Sequence, residues 1–304
     1  MGWAAGRFKL LKPTDANGLT AAYLYIFLPA LIVDQIAKQD PKELWRPGYI
    51  LATFILLLGL YAIAFIVEFY FLKRPLAVSG LAAFAVAKFN AAVLGLPLLL
   101  VSIGHYAVPA VLINVVIGYC TILPVTLTIL EISKQRESAR ALSALGRAVA
   151  HAVRDPLILA TAMGCALSLA HIRVPGWLDQ TLVGLGGAAF TVPLVALGLT
   201  LHIPSHDELR DVSWIVVARL IVSPLLAITL AKSFALSPPD SIALVISFCL
   251  PTAKLAFAIA EGHDTYVEQT SAIVAITTVG IAVTFPLWMS VCAQLWPGTV
   301  AVPR

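Results

Sequence analysis

The stretch ILATFILLLGLYAIAFIV at residues 50–67 decides the fold class, because it carries no charge and is long enough to cross a bilayer as an α-helix. The composition of all 304 residues agrees with it: 60% are apolar, 12% are charged and the mean hydropathy is +0.93. A water-soluble domain has about 25% charged and about 45–50% apolar residues. The sequence therefore predicts an integral membrane protein, with the lipid bilayer as its surroundings. It excludes a disulfide-rich secreted scaffold, a nucleic-acid-binding protein and a disordered regulator.

We predict nine membrane-spanning helices, each an apolar stretch bounded by short polar or Gly/Pro segments. They lie at 18–37, 48–72, 76–102, 107–130, 156–171, 177–202, 213–236, 239–261 and 268–296. The chain then divides into a first half of four spans, residues 1–130, a hydrophilic loop, residues 131–155, and a second half of five spans, residues 156–304.

Lysine and arginine residues are divided unevenly between the two sets of alternate loops. One set contains Arg7, Lys9, Lys12, Lys73, Arg74, Lys134, Arg136, Arg140, Arg147, Arg154 and Arg210, and the other contains Lys38, Lys42, Arg46, Arg173, Lys232 and Arg304. Cytoplasmic loops carry the excess of basic residues, so eleven against six places residue 1 and the loop 131–155 in the cytoplasm. The C-terminus is then outside, and we predict a multi-pass protein of the inner (plasma) membrane.

The two halves of the chain resemble each other at their prolines. FLPAL at 27–31 in the first span is similar to FTVPL at 190–194 in the sixth. Two spans later, each half has a helix that we predict to be broken at mid-membrane, by NAAVLGLP at 90–97 and by LPTAK at 250–254. A proline removes a helical hydrogen bond at a cost of about 3 kcal/mol, and carbonyls freed within lipid must find protein or water. Paired breaks favour a transporter with a cavity between repeats, although prolines are common enough in membrane helices to match by chance.

Pro97 and Pro251 form the matched pair in this comparison. The halves do not balance, since five spans follow the loop and four precede it, and inverted repeats require one more span at the start. MGWAAGR at 1–7 resembles the tail of such a helix running into a basic loop. We therefore expect a start assigned too late or a truncated variant, in which the first helix is missing.

Three segments together resemble a known family: NAAVLGLPLL at 90–99, LGGAAFTVPLVALGLTL at 185–201 and LPTAKLAFAIAE at 250–261. From about residue 18 onward, the chain is similar to the auxin efflux carriers and their bacterial relatives described as malonate transporters. The resemblance implies an all-α membrane fold of ten helices in two inverted five-helix repeats, like that of the sodium/proton antiporters. In that fold, two broken helices cross and hold an organic anion. This chain departs from the pattern in lacking the first helix.

Lys88 and Lys254 are the sharpest candidate site residues, because a charge at the bilayer centre costs about 2.5–3.5 kcal/mol and normally faces water or a partner. Lys88 precedes the first predicted break and Lys254 follows Pro251. If the breaks cross, both ammonium groups reach one cavity, together with the partial positive charge of the half-helix N-termini. An anion with two carboxylates suits that arrangement. The alternative is that each lysine extends to a membrane interface along its stem.

Six further residues complete the candidate substrate site: Asn90, Gly95, Pro97, Pro251, Thr252 and Arg219. Asn90 either binds a carboxylate or satisfies backbone carbonyls, while the glycine and prolines are expected to shape the break more than to touch substrate. Thr252 suits either role. Arg219, where the family resemblance also places a basic residue, pairs with the substrate or with a helix C-terminus, and the latter is favoured.

The polar residues outside the breaks have simpler interpretations. Glu68 and Asp34 fall near span ends and are predicted to be interfacial, although a coupling proton needs some carboxylate or histidine to carry it. Asn114 is expected to bond between helices rather than to line the cavity. The four cysteines and six histidines show no metal-ligand or relay spacing.

These observations predict a secondary carrier that moves a small organic anion, a dicarboxylate such as malonate or malate, by alternating access. No cofactor or metal is expected beyond a coupling proton or sodium ion, and a homodimer is a further expectation. A sodium-coupled symporter of bile-acid type on a related fold is the alternative. A membrane-embedded enzyme is disfavoured, because the sequence has no HExxH, no paired mid-span aspartates and no GxSxG.

Overall fold

Helices make up almost all of the chain that the computed structural model describes, which is residues 7–8, 10–12, 15–38, 45–134, 156–172, 174–199 and 206–298. The α-helices are α1 (Asp15–Ala22), α2 (Leu28–Ala37), α3 (Pro47–Ile66), α4 (Leu76–Ala87), α5 (Leu96–Ile103), α6 (Ala107–Cys120), α7 (Ile122–Lys134), α8 (Pro156–Leu169), α9 (Gly176–Leu199), α10 (His206–Val217), α11 (Ser223–Ser233), α12 (Pro238–Cys249), α13 (Lys254–Gly262) and α14 (Val267–Leu295). Each predicted span contains helix. Residues 1–6 and most of the predicted cytoplasmic loop, from 135 to 155, lie outside the described residues.

Five-residue π-helical turns occur in four of the described helical segments, two of them between α-helices, one at the start of a segment and one at its end. They are Tyr23–Phe27, Val67–Phe71, Ala91–Gly95 and Ala218–Val222. In three cases a proline, Pro29, Pro97 or Pro224, is the second residue of the α-helix that follows. Proline lacks the backbone donor that a regular helix would use there, and a π-turn shifts the hydrogen-bond register just before it. The chain therefore passes these prolines without ending the helix.

Within the described ranges, four continuous helical segments are long and apolar enough to cross a membrane: Pro47–Phe71, Ala107–Ser133, Asp211–Ser233 and Val267–Leu295, with mean hydropathies of 2.8, 2.1, 2.1 and 1.9. Their surfaces keep large apolar side chains exposed, among them Ile63 at 56% and Val283 at 76%. An apolar surface of this kind is typical of a membrane-facing protein. The described helices therefore fit an integral membrane protein.

The helices pack in two groups. The segment from α1 to α2 packs against α8 and α9, which makes a panel of three segments. The segments from α3 to α7 and from α10 to α14 pack around α4 and α12. Residues 79–87 of α4 and 241–249 of α12 are buried without exception, so these two short helices form the centre of the second group.

Ion pairs join helix ends that are distant in the sequence. They are Lys38–Asp179 (2.7 Å), Arg46–Asp240 (2.9 Å) and Arg74–Asp211 (3.5 Å). Lys38, just beyond the end of α2, also bonds to Asp34, and the hydrogen bonds to Asp179 and Asp34 raise its pKa.

Asp34 and Glu68, which the sequence predicts to be interfacial, are both buried within the protein. Both lie near helix ends, as expected, but their side chains are only 3% and 1% exposed. Asp34 is buried beside Lys38, and Glu68 is buried beside α10. Sequence position alone gives depth along a helix and not the face on which a side chain lies, which is why their burial was missed.

Candidate functional site

Two interrupted helices meet at the centre of the second group. Residues 88–90 leave helical geometry after α4, and residues 250–253 do so after α12. The two short segments pair antiparallel around Phe89 and Thr252. The backbone N–H of Asn90 donates to the carbonyl of Pro251 (2.8 Å), and that of Ala253 donates to the carbonyl of Lys88 (3.0 Å). We call this contact between the two breaks the crossing.

The position of the first break differs from the prediction. The helix is interrupted at 88–90, not over 90–97, and Pro97 lies inside α5 beyond the π-turn Ala91–Gly95. Pro97 and Pro251 are therefore not a matched pair, because Pro251 lies within its break. A Cβ at Gly95 would lie 2.9 Å from Leu250 Cδ1, so glycine lets the π-turn approach the second break without moving that side chain.

Arg219 is fully buried beneath the crossing, with 0% exposure. Its guanidinium donates to the carbonyls of Phe248 (2.6 Å), Val86 (2.7 Å), Leu250 (2.9 Å) and Ala87 (3.3 Å). These carbonyls are at the C-terminal ends of α4 and α12, where helices carry partial negative charge and lack partners. Of the two roles predicted for Arg219, the structure places it in the second, at the helix C-termini.

Aromatic rings enclose the same guanidinium. Its central carbon lies 5.3 Å from the ring centroid of Phe89 and 5.7 Å from that of Phe248, and the two rings are 4.9 Å apart. A planar cation is attracted to such ring faces. Arg219 is thus held by both breaks and both aromatic residues, which fixes the two C-termini relative to each other.

Thr252 also makes its hydrogen bonds at the crossing. Its hydroxyl donates to the carbonyl of Ala85 (2.8 Å), and its backbone N–H donates to the hydroxyl of Thr277 in α14 (3.2 Å). The side chain is fully buried. These bonds give Thr252 the backbone-shaping role that the sequence left open beside substrate binding.

Lys88 lies at the first break with 5% exposure. Its ammonium nitrogen is 4.9 Å from the ring centroid of Tyr119, and a Cβ on Gly118 would collide with it. The side chain therefore turns into the protein beside α6 and does not extend to a membrane interface. Gly118 and Tyr119 were not predicted, because nothing in a continuous apolar span distinguishes the positions that face another helix.

Lys254 is the first residue of α13 and is partly buried. It follows Thr252 by two residues, so a lysine flanks the crossing on each of the two broken helices. α13 begins two residues after Thr252 and the Ala91–Gly95 turn begins two residues after Phe89, so the antiparallel pairing places their N-terminal ends at opposite ends of the crossing. Asn90 is buried at the Pro251 end of the crossing, and its carbonyl accepts from the N–H groups of Leu94 and Gly95 (3.3 and 3.1 Å).

A polar network fixes α12 beside the crossing. The side-chain oxygen of Asn114 accepts from the hydroxyls of Tyr49 (3.1 Å) and Thr53 (3.4 Å), and its nitrogen donates to the hydroxyl of Ser247 (2.8 Å). The prediction that Asn114 bonds between helices is confirmed, since these partners lie on α3 and α12.

Comparison with known proteins assigns the chain to a family. A family model described as "Membrane transport protein" matches residues 1–289. The chain belongs to this family. The match confirms the resemblance to the auxin efflux carriers that the three sequence segments indicated, and the protein is a membrane transporter.

Individual relatives agree with the family. The transporter is 29% identical over 272 residues to a Rhizobium meliloti protein named "Putative malonate transporter", which covers 88% of this chain and 84% of the relative. It is 22% identical over 296 residues to "Uncharacterized transporter YfdV" of Escherichia coli, covering 96% and 93%. An "Uncharacterized transporter" of Methanothermobacter thermautotrophicus is 28% identical over 144 residues, 47% of each chain. Family and relatives are transporters, which points away from enzyme activity.

Proposed function

We propose that this transporter is a secondary carrier of a small organic anion with two carboxylates, such as malonate or malate, and that the anion binds at the crossing. The observation that carries the proposal is the presence of Lys88 and Lys254 at the same end of the hydrogen-bonded crossing, where the carbonyl of Lys88 accepts from the N–H of Ala253. The buried carboxylates of the described residues, Asp34 and Glu68, lie near helix ends and not at the crossing.

The charges at the crossing add up to a positive site. Each half-helix N-terminus contributes about +0.5 and each C-terminus about −0.5. The two C-termini, which together carry about −1, are offset by Arg219. The two lysines and the two N-termini then leave the crossing with a charge of about +3, most of which a dicarboxylate offsets. Asn90, beside the first break, supplies donors suited to a carboxylate.

Alternating access fits the two groups of helices. The Ala91–Gly95 turn of the first broken helix packs against α9 of the three-segment panel, so the boundary between the groups passes beside the crossing. Rocking of the six-segment group against the panel would open the crossing to each side in turn, as in carriers built from inverted repeats.

The proposed topology has nine spans in two inverted repeats, and residue 1 and the loop 131–155 are in the cytoplasm. The membrane in this proposal is the plasma membrane. The ion pairs Lys38–Asp179, Arg46–Asp240 and Arg74–Asp211 support it. In each pair, the alternation of nine spans places both partners on the same side of the membrane. An added or missing span between the partners would separate them.

Uptake into proteoliposomes tests the proposal. Labelled malonate is offered to vesicles that contain wild type, Lys88→Ala, Lys254→Ala or, as a matched control, Lys232→Ala, whose side chain is exposed at the end of α11. Saturable uptake that is lost in the first two variants and kept in the control is expected. Full uptake in both site variants would remove the lysines from the site. Uptake of a bulky bile acid driven by sodium, with none of malonate, would favour the bile-acid-type symporter.

A further inference from the structure

A buried carboxylate lies apart from the crossing. Glu68 is in the π-turn Val67–Phe71, which directly follows α3 and ends that helical segment, and it is 1% exposed. Its Oε1 accepts from the indole N–H of Trp214 in α10 at 3.2 Å. Its Oε2 is buried and makes no hydrogen bond among the described residues.

The groups around Glu68 do not compensate a negative charge directly. Arg74, Asp211 and Tyr266 act on the carboxylate electrostatically. Arg74 pairs with Asp211 (3.5 Å), and its backbone N–H, not its guanidinium, bonds to the Glu68 carbonyl (3.0 Å). An ionised carboxylate with one oxygen buried and unpaired is costly, whereas protonation removes the charge and turns Oε2 into a hydroxyl.

A proton fits this site better than a metal cation. The Trp214 N–H points at one carboxylate oxygen, where it satisfies an acceptor and would repel a cation. A metal ion also needs several oxygen, nitrogen or sulfur ligands, and the described ranges contain no group of three histidine, cysteine or acidic residues that could hold one.

The site is linked to the crossing through one helix. Trp214 and Arg219 lie on the same helical segment, five residues or roughly 7–8 Å apart along its axis. Trp214 contacts Glu68 at one end, and Arg219 holds the C-termini of both broken helices at the other. A change in the charge of Glu68 therefore acts on the segment that holds the crossing together.

We propose that Glu68 is the proton-binding site of the carrier. The carboxyl holds a proton on Oε2 in this conformation. Release breaks the O–H bond and transfers the proton to water near the half-exposed Arg74–Asp211 pair, leaving the carboxylate negative. The inference rests on the proposed function, because it assigns the proton that accompanies the anion.

Infrared spectroscopy tests proton binding without any transport. A solvent-exposed glutamate is ionised at neutral pH. Wild-type protein in bilayers is expected to show the C=O band of a protonated carboxylic acid at neutral pH, and Glu68→Gln is expected to lose that component. Glu268→Gln, which neutralises an exposed glutamate in the first turn of α14, is the matched control and keeps it. Identical spectra for wild type and Glu68→Gln would overturn the assignment.

Transport then tests coupling. Malonate exchange and malonate accumulation driven by an imposed pH gradient are measured in the same proteoliposomes. Glu68→Gln is expected to lose the accumulation relative to exchange, while Glu268→Gln keeps both. Gradient-driven accumulation at the wild-type level in Glu68→Gln would contradict the role. If wild type moves no malonate at all, the proposed function fails, and the infrared result still decides whether Glu68 holds a proton.

Trp214→Phe provides a second variant in case Glu68→Gln does not fold. It removes the N–H donor and keeps an aromatic ring beside the carboxyl. The pH at which the infrared band disappears is expected to shift, because that donor bonds to Oε1. An unshifted midpoint would contradict the geometry on which the inference depends.

Discussion

Replacing Arg219 with leucine is expected to destabilise the protein strongly. The change leaves buried carbonyls at the ends of α4 and α12 without a donor, and three of the bonds lost are short, at 2.6, 2.7 and 2.9 Å. Each unsatisfied buried polar group costs about 1–3 kcal/mol, or about 3–9 kcal/mol for three. Part of this is offset because a desolvated cation is also removed, so we expect a net loss of about 3–5 kcal/mol, in the lower half of that range.

The assay is thermal melting of the purified protein in detergent, followed by the loss of the monodisperse peak on size exclusion. If each kcal/mol shifts the melting temperature by about 2–4 °C, the leucine variant melts about 6–20 °C below wild type. Arg219→Lys is expected to fall between them, because lysine keeps the charge but lacks the planar fork that reaches several carbonyls at once.

Arg74→Leu is the matched control for this prediction. Arg74 is 38% exposed in its side chain and pairs with Asp211 at 3.5 Å, so its removal should cost no more than about 1 kcal/mol. A leucine variant at Arg219 that melts with wild type, or with Arg74→Leu, would refute the view that this arginine holds the two broken helices together.

Three further predictions follow from other contacts. Gly118→Ala introduces a Cβ where the Lys88 ammonium lies and should weaken malonate binding about tenfold, or about 1.4 kcal/mol. Gly59→Ala is the control, because a Cβ there meets nothing within 4 Å, and it should leave the Kd for malonate unchanged. Equal Kd values for both variants would argue against the position of Lys88. Asn114→Val should lower thermal stability by about 1–3 kcal/mol with little change in Kd, and an unchanged melting temperature would contradict the network drawn around it. Lys38 is more readily protonated in the folded state, so its stabilisation is present below the unfolded-state pKa of about 10.4 and is lost as the pH rises through the raised folded-state pKa. Lys38→Met should therefore lower the free energy of unfolding by at most about 1 kcal/mol, because the side chain is 48% exposed. Its deficit in melting temperature should be constant from pH 7 to 9 and shrink above about pH 10.4, and a deficit that grows there would refute this assignment.

The helices could be predicted well from the sequence, because a membrane span is a run of contiguous apolar residues. The run 50–67 lies within a described helix from Pro47 to Phe71, and the predicted broken helices are interrupted in the structure. The crossing was expected from the family resemblance, and the exchange of backbone hydrogen bonds between residues 88–90 and 250–253 gives it a geometry.

The position of the first break could not be predicted from the sequence. Pro97 predicts a helix break over 90–97, yet the π-turn Ala91–Gly95 accommodates this proline. The interruption lies at 88–90, where no proline occurs. Proline removes one donor, and whether the helix ends there depends on the helices around it. A contact between helices such as that of Lys88 with Tyr119 is likewise a property of packing and not of spacing.

The central claim is that a dicarboxylate binds at the crossing between Lys88 and Lys254. The most direct measurement is equilibrium binding of labelled malonate to purified protein, by scintillation proximity, for wild type and the double variant Lys88→Met, Lys254→Met. Methionine keeps a long apolar stem and removes the charge. The account predicts saturable binding to wild type that is displaced by malate, and none to the double variant that still elutes and melts as a folded protein. Undiminished malonate binding by that folded double variant would contradict it.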